Sequence, residues 1–321
     1  MNIEAIIIDG MAFALPIFIM AIGGIYSEKS GITMLALEGL QGFGAFCGAA
    51  AVLMLSPAIG ANNPALIYIA IAVSMIGGMI YAMLHAGLSI KFLANQVISG
   101  VVVNILAVAL TTFLTSLLNE SLTGEASNKI QLGAAPRFTI PMVSEIPILG
   151  AFFKKMYIFA PFVMVFALAA WYVLYKTPYG LRLRACGENP YSVDAAGGNV
   201  NRIRFTAVMI CGLLSGLAGI FFAYSTSANF SPSIYMGYGY LSIAALIFGN
   251  WKIMPTLAVC LFFGLAKSGG YQLTLALGLS SKVSDLFLTI PYILTLLLLI
   301  FFSKHNHPPR AVGKAFDPGQ N

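Results

Sequence analysis

Few residues of this sequence could do chemistry, and none of them forms a catalytic pattern. The phosphate-binding pattern GxxxxGK[ST], the zinc pattern HExxH and the nucleophile pattern GxSxG do not occur, and "GLAKS" at 264 to 268 lacks the phosphate-loop spacing. Of three histidines, His85 stands alone in an apolar stretch, and two lie near the end of the sequence. A membrane enzyme needs several titratable groups that converge on one pocket. The sequence therefore predicts no catalytic residue, no metal site and no cofactor.

Three charged residues, Glu38, Lys267 and Asp285, fall inside or beside apolar stretches. Acidic groups in such places are typical of proton- or sodium-coupled carriers when they lie at mid-membrane. We expect Glu38 and Asp285 to lie near helix ends instead. Glu38 and Gly39 open a glycine-rich stretch, where a carboxylate meets the positive end of a helix dipole. Two roles stay open for this pair, structural capping and a part in coupling or gating.

The most polar stretch is "RACGENPYSVDAAGGNVNRIR", residues 184 to 204. Asn189 is a favourable N-cap, Pro190 a favourable first helical residue, and the glycine pair at 197 and 198 is a natural stop. The pattern predicts a helix of about two turns, which is marginally stable alone and must lie against the membrane face or a partner. From composition alone, an amphipathic connector and a helix gripped by a motor subunit fit equally well.

The elements that must position these residues are membrane helices. The chain is 59% apolar and only 9% charged, and its mean hydropathy is +0.88. Such a composition cannot coat a soluble globule of 321 residues with polar surface. The net charge of +6 comes from basic residues in loops, which indicates membrane topology and no nucleic-acid partner. The four cysteines show no disulfide or zinc spacing.

Apolar runs of about 20 residues mark the candidate spans. They lie near 10 to 26, 39 to 57, 65 to 90, 92 to 118, 157 to 175, 205 to 224, 238 to 266 and 285 to 303. The seventh run holds Gly249, Lys252 and Pro255 at its centre, so we divide it into 238 to 249 and 253 to 268. The prediction is an all-α polytopic fold with about nine (8 to 10) transmembrane segments, some short or broken. Alternatively, one of the divided pair is re-entrant or interfacial.

Charge predicts the orientation of this single membrane domain, residues 1 to 304. The stretch 176 to 204 and the tail 305 to 321 carry an excess of Lys and Arg, which places both in the cytoplasm. Counting back through five helices places the N-terminus outside, where a leader has acidic but no basic residues. The stretch 119 to 156 then becomes the long external loop. Glycines four residues apart, such as Gly44 and Gly48 or Gly212 and Gly216, predict closely packed helices.

Four stretches carry a family resemblance. The polar stretch, extended to "YGLRLRACGENPYSVDAAGGNVNRIRFTAVMICGLLSGLAGIFFA", resembles the G-x-N-P segment of the inner-membrane permeases of ATP-binding-cassette (ABC) importers, in the branched-chain amino acid and ribose permease family. "EKSGITMLALEGLQGFGAF", "NQVISGVVVNILAVALT" and "LTIPYILTLLLLI" resemble three further family segments in the same order. Within that family the likeness is to the simple-sugar and nucleoside permeases. Met34 and Ile290 depart from the family pattern.

The resemblance implies the partners and the coupling residues. Two permeases, homologous or identical, would pair in the bacterial cytoplasmic membrane and its lipid, two cytoplasmic ATP-binding subunits would grip the short helices, and an external or periplasmic binding protein would deliver the solute. Five residues match the coupling segment: Gly187, Asn189, Pro190, Ala195 and Gly198. A self-sufficient secondary carrier is the competing class.

The resemblance also favours purine nucleosides as the solute, with riboflavin and then a simple sugar as alternatives. Aromatic residues are abundant, including the cluster "YMGYGY", and could stack on a ring. Four polar residues in the apolar segments are candidates to bind the solute along its path: Gln41, Gln96, Ser99 and Asn104.

Overall fold

The computed structural model describes residues 3–61, 63–141, 149–278, 289–302 and 306–317. Within them the chain is mainly helical. The helices are α1 Ile3–Lys29, α2 Leu37–Ile59, α3 Ala65–Ala86, α4 Gln96–Thr123, α5 Phe159–Lys176, α6 Pro178–Glu188, α7 Pro190–Ala195, α8 Val200–Thr226, α9 Tyr238–Phe248, α10 Ile253–Ala276 and α11 Ile290–Phe302. The strands are β1 Ile130–Gln131, β2 Arg137–Phe138, β3 Met156–Tyr157 and β4 Asn229–Phe230.

Seven of the described helices are long and apolar enough to cross a membrane. They are α1 to α5, α8 and α10, and α3 continues to Lys91 in one turn of π-helix. Two further apolar helices are shorter, α9 with 11 residues and α11 with 13. The seven long and two short helices confirm the predicted all-α polytopic membrane fold with some short segments.

The predicted break in the seventh apolar run is confirmed. Asn250 and Trp251 separate α9 from α10, and their φ angles of 51° and 52° lie in the left-handed region that a continuous helix excludes. The Trp251 indole N–H donates to the carboxylate of Glu28 at 2.6 Å, which fixes the turn against the end of α1. The second piece is longer than predicted, because α10 continues to Ala276 instead of ending near 268.

Several predicted boundaries were wrong. Glu4 and Asp9 belong to α1, not to a leader. The fourth helix begins at Gln96, not 92, because the Asn95 side chain caps it by accepting the N–H groups of residues 97 and 98. The same helix continues to Thr123, so the connection predicted at 119 to 156 begins five residues later. Asp285, the domain boundary at 304 and the first residue of the predicted tail, 305, lie outside the described residues.

Glycine contacts hold α2, α3 and α8 together. A Cβ on Gly44 would lie 2.6 Å from the Cα of Gly216, and one on Gly212 would collide with the carbonyl of Gly78. The Ser74 hydroxyl donates to the Gly216 carbonyl at 2.5 Å. The predicted small-residue faces therefore do bring backbones into direct contact, as small residues allow between membrane helices.

Short strands close the end of the bundle that lies opposite α7. β1 pairs with β4 and β2 with β3, both antiparallel. β4 follows α8, whose 27 residues span about 40 Å, so this end lies about 40 Å from the α7 end. The connection between α4 and α5 and the turn between α8 and α9 thus share one end of the molecule.

Candidate functional site

The predicted coupling helix is present as α7, and its local sequence explains its limits. Asn189 accepts the N–H of Ser192 at 3.3 Å, and Pro190 is the first helical residue. Gly197, with a φ of 78°, turns the chain, and the Gly198 N–H donates to the Val193 carbonyl at 2.9 Å. The helix is shorter than the predicted stretch, because it ends at Ala195. Its capping and its stop are nevertheless those that the sequence predicts.

The sequence analysis missed α6, which precedes the coupling helix. The Thr177 hydroxyl accepts the Gly180 N–H at 3.2 Å and so caps α6, and Pro178 is its first residue. Thr177 and Pro178 could therefore have indicated the start of a helix in the sequence. The segment was read as loop because it contains too few apolar residues for a span.

The five predicted coupling residues differ in how far they are exposed. Gly187 and Pro190 are buried, whereas Asn189 and Ala195 are exposed and Gly198 is half-buried. A side chain at Gly187 would collide with the carbonyl of Lys29, at the end of α1. A side chain at Gly198 would lie 2.7 Å from Cγ1 of Val193. The buried set therefore seats the segment on the bundle, and the exposed set leaves a face available to a partner.

The C-terminal segment 306–317 packs against this coupling segment. The Ala311 N–H donates to the Gly187 carbonyl at 2.8 Å, and the Gly313 N–H donates to the Gly31 carbonyl at 3.1 Å. The ring of Phe316 lies 5.2 Å from that of Tyr191 on α7. The tail and α7 therefore occupy the same end of the bundle, and the placement of both in the cytoplasm stays a prediction.

Arg204 joins these parts and corrects one interpretation. The sequence analysis places Arg204 among the basic residues of a loop, but Arg204 is only 2% exposed. Its Nε donates to the Ser30 carbonyl and one terminal nitrogen donates to the Lys314 carbonyl, each at 3.1 Å. Burial raises the pKa of the Cys186 thiol, although the Arg204 guanidinium acts in the opposite direction. We conclude that Arg204 ties α8 to the α1–α2 connection and to the tail.

A second polar centre lies where the beginnings of α2 and α9 meet. The carboxylate of Glu38 accepts the N–H of Gly237 at 2.9 Å, and Gly237 is the N-cap residue of α9. The Gly39 N–H donates to the side-chain oxygen of Asn104 at 2.7 Å. Glu38 therefore sits in the first turn of α2 but binds the first turn of α9. This contact is compatible with both roles left open for Glu38 and Gly39.

The structure brings three of the four candidate pathway residues together along α4. Gln96 accepts the Thr33 N–H at 2.7 Å, and Asn104 donates to the Leu35 carbonyl at 2.8 Å. Ser99 pairs at 3.0 Å with His85, whose other ring nitrogen lies 3.1 Å from the Thr33 carbonyl. These side chains hold the connection between α1 and α2. Their place in a solute pathway stays a prediction.

Gln41, the fourth candidate, lies on α2 and not on α4. Its side chain is fully buried, and neither atom of its amide group has a partner among the described atoms. Its backbone carbonyl faces Gly219 of α8. Glu28, by contrast, is a polar residue that the sequence analysis quoted but did not single out. Its charge within an apolar run was the signal, and the structure shows it buried against Trp251.

A cavity of about 480 Å³ opens between α1, α8, α9 and α10 near the end that carries the strands. Lys267 lies on its wall and donates to the Tyr238 hydroxyl at 3.0 Å. The lysine Nζ also lies 3.7 Å from the centre of the Phe13 ring. Lys267 and the tyrosine cluster were noted in the sequence, but their meeting depends on helix packing. No group of three or more His, Cys, Asp or Glu residues suited to a metal ion occurs in the part of the chain that the structure describes.

The fold and these sites define a polytopic membrane permease. The family described as branched-chain amino acid transport system / permease component matches residues 6–302, and this chain belongs to that family. Permease subunits of ABC transporters lack a catalytic site of their own and work with separate ATPases and substrate-binding proteins. This chain is accordingly a multi-pass protein of the cytoplasmic membrane.

Two similar proteins match almost the whole chain, and a third matches about a third of it. The guanosine ABC transporter permease protein NupQ of Bacillus subtilis is 34% identical over 97% of this chain and 95% of its own length. The nucleoside ABC transporter permease protein NupC of Lactococcus lactis is 32% identical over 97% and 96%. The ribose import permease protein RbsC of Escherichia coli is 35% identical over only 32% of this chain and 34% of its own. No solved structure matches the chain.

Proposed function

We propose that this chain is the permease subunit of an ABC importer for nucleosides. The observation that carries the proposal is the 34% identity to a guanosine permease over nearly the full length of both chains. Both the seat of α7 and the cavity beside Lys267 support it. A second permease, two ATP-binding subunits and an external binding protein complete the proposed importer.

In this proposal, α7 passes the movement of the ATPases to the membrane helices. Asn189 and Ala195 would contact the ATPase, because they lie on the exposed side of α7. Gly187 would pass the push to α1 through its close contact with Lys29. Asn199, which caps α8 by accepting the Arg202 N–H at 2.8 Å, would pass it to α8. The short stiff connections favour movement of these helices as one body.

Nucleoside uptake by cells that carry the whole importer tests the coupling role. Ala195→Arg places a long charged side chain on the exposed face of α7 without filling a buried space. We expect ATP-dependent uptake of labelled guanosine to fall at least 10-fold, with unchanged amounts of permease in the membrane. Ser121→Arg, on an exposed position near the far end of α4, is the matched control and should transport normally. Normal uptake by Ala195→Arg would contradict the role of α7.

The competing functions give different results in the same cells. If the cells take up riboflavin or ribose and do not take up nucleosides, the chain is still an ABC permease but nucleosides are not its solute. If the purified chain in liposomes accumulates solute along an ion gradient without an ATPase, the chain is a secondary carrier and the proposal fails.

A further inference from the structure

The cavity beside Lys267 has the size and the lining of a small-molecule site. Its volume of about 480 Å³ lies within the range of roughly 300 to 1,000 Å³ that is usual for pockets that hold small organic ligands. Its wall combines aromatic rings with a few polar groups. Asp9, Phe13, Tyr157, Tyr238 and Tyr271 all line the cavity. Aromatic walls of this kind suit a flat ring.

Lys267 is a cation that the described protein does not neutralise. It lies in the apolar helix α10, and neither of the two ion pairs in the described residues, Lys154 with Glu4 and Arg310 with Glu188, involves it. Phe13 and Tyr238 offer it cation–π contacts and the Tyr238 hydroxyl accepts its hydrogen bond, but neither residue supplies a carboxylate. An ionisable residue in such a place marks a functional site by default, because burying an unpaired charge in a membrane is costly.

Two further polar groups point to a ligand in the same cavity. Ser268 is 6% exposed, lines the cavity, and its hydroxyl has no hydrogen-bond partner among the described atoms. A buried hydroxyl without a partner costs stability, so its presence is explained if a ligand satisfies it. Arg137 brings a guanidinium to the wall and lies 4.3 Å from the centre of the Tyr157 ring. The cavity thus offers cationic donors, a free hydroxyl and the carboxylate of Asp9.

We propose that this cavity binds the transported nucleoside and selects 6-oxopurine rings over 6-aminopurine rings. This inference rests on the proposed function. The carbonyl oxygen and N7 of a 6-oxopurine are acceptors for Lys267 or Arg137, and Asp9 can accept from the ring N1–H. A 6-aminopurine presents an N–H donor where the Lys267 ammonium also presents donors, so the ring loses that hydrogen bond. Sites built to hydrogen-bond one group reject the analogue that lacks it.

The same wall disfavours an anionic lipid headgroup as the occupant. A phosphate would gain from Lys267 and Arg137 but would meet the carboxylate of Asp9. The five rings of Phe13, Tyr157, Tyr238, Tyr271 and their neighbour Phe222 also offer a headgroup little, because stacking needs a flat ring. A neutral ring with both acceptors and donors uses every group on the wall.

The test measures KM for labelled inosine and adenosine in cells that carry the whole importer. We expect the unmodified importer to prefer inosine about 10-fold or more. Lys267→Gln removes the charged donor and should raise the KM for inosine about 10- to 100-fold, as expected for one lost charge-assisted hydrogen bond, and that for adenosine less than about 3-fold. Lys267→Arg should keep the preference for inosine. Lys252→Gln, an exposed lysine at the start of α10, is the matched control and should change neither value.

Ser268→Ala provides a second variant that removes one atom and disturbs packing little. It should raise the KM for inosine severalfold at an unchanged amount of permease, and it decides the matter if Lys267→Gln does not reach the membrane. An unchanged preference in Lys267→Gln, or an unchanged KM in Ser268→Ala, would overturn the inference while the proposed function stands. Equal loss of both nucleosides would also overturn it and indicate another occupant, such as a lipid phosphate. Failure of the unmodified importer to take up any nucleoside would instead overturn the proposed function.

Discussion

Two sides of the same bundle differ in the space that they leave beside their helix contacts. Between α2, α3 and α8 the backbones touch, and a single methyl group on Gly216 would lie 2.9 Å from the carbonyl carbon of Ser74. Between α1 and α10 the helices meet at Gly10 and Gly264, and the cavity lined by Lys267 begins about one turn farther along α10. The glycine contacts between α2, α3 and α8 leave no space for a side chain at those positions. The contact between α1 and α10 lies beside a cavity that its polar groups do not fill.

The difference indicates that the two sides of the bundle have different roles. Interfaces that are packed by backbone contact have little freedom to deform, so α2, α3 and α8 should move together. A space lined by a lysine without a counter-ion and a hydroxyl without a partner among the described residues is unfavourable when empty and favourable when a suitable solute enters. The glycine side is therefore suited to carry movement, and the cavity side to receive the solute.

The largest expected effect is on the glycine side. Gly216→Ala places a Cβ against the Ser74 carbonyl and should lower the free energy of unfolding by about 3 kcal/mol, the upper part of the usual range for overpacking. The thermal midpoint of the purified permease in detergent measures this. Gly269→Ala, at a helical glycine with open space around it, is the matched control and should be neutral or slightly stabilising. Equal midpoints for both variants would remove the contrast between the two sides.

An intermediate effect is expected at Glu28, which joins the end of α1 to the turn between α9 and α10 by a polar bond. Glu28→Gln replaces an acceptor-only carboxylate that binds the Trp251 indole at 2.6 Å and the Met34 N–H at 3.4 Å. We expect a loss of about 2 kcal/mol, as for a hydrogen bond to a charged group. Glu188→Gln, whose side chain is 60% exposed, should leave the thermal midpoint unchanged. A midpoint as high in Glu28→Gln as in Glu188→Gln would show that this bond adds no stability.

The smallest effect is expected on the cavity wall and has the opposite sign. Without solute, Ser268→Ala removes a buried hydroxyl that has no described partner and should stabilise the permease by about 0.5 kcal/mol. Differential scanning fluorimetry with and without inosine checks this, because inosine should stabilise the unmodified permease more than the variant. A clear loss of stability in Ser268→Ala without solute would mean that the hydroxyl has a structural partner.

Local signals carried most of the sequence-based prediction. The caps at Asn189 and Pro190, the division of the run around Lys252 and the small-residue faces act over a few neighbouring residues, so the sequence displays them directly. The same reasoning failed for α6, because a mainly polar helix on the membrane surface has no apolar period to reveal it. Thr177 and Pro178 marked its start but do not by themselves distinguish a helix from a turn.

Long-range contacts were beyond the sequence for a physical reason. The tail binds Gly187 and Gly31 through backbone groups. Because every residue has such groups, no particular side chain in the sequence predicts the contact. Arg204 belongs to a basic stretch and looks like a surface charge, although it is buried and donates to the carbonyls of Ser30 and Lys314. The cavity likewise arises where Phe13 and Lys267, far apart in sequence, meet across two helices.

The docked tail also has a consequence for biogenesis. Segment 306–317 follows all the described membrane helices in chain order, so the ribosome makes it after them. Arg204 and the carbonyl of Gly187 acquire these tail partners only then. A nascent permease therefore lacks these contacts at the α7 end until this segment folds back onto the bundle.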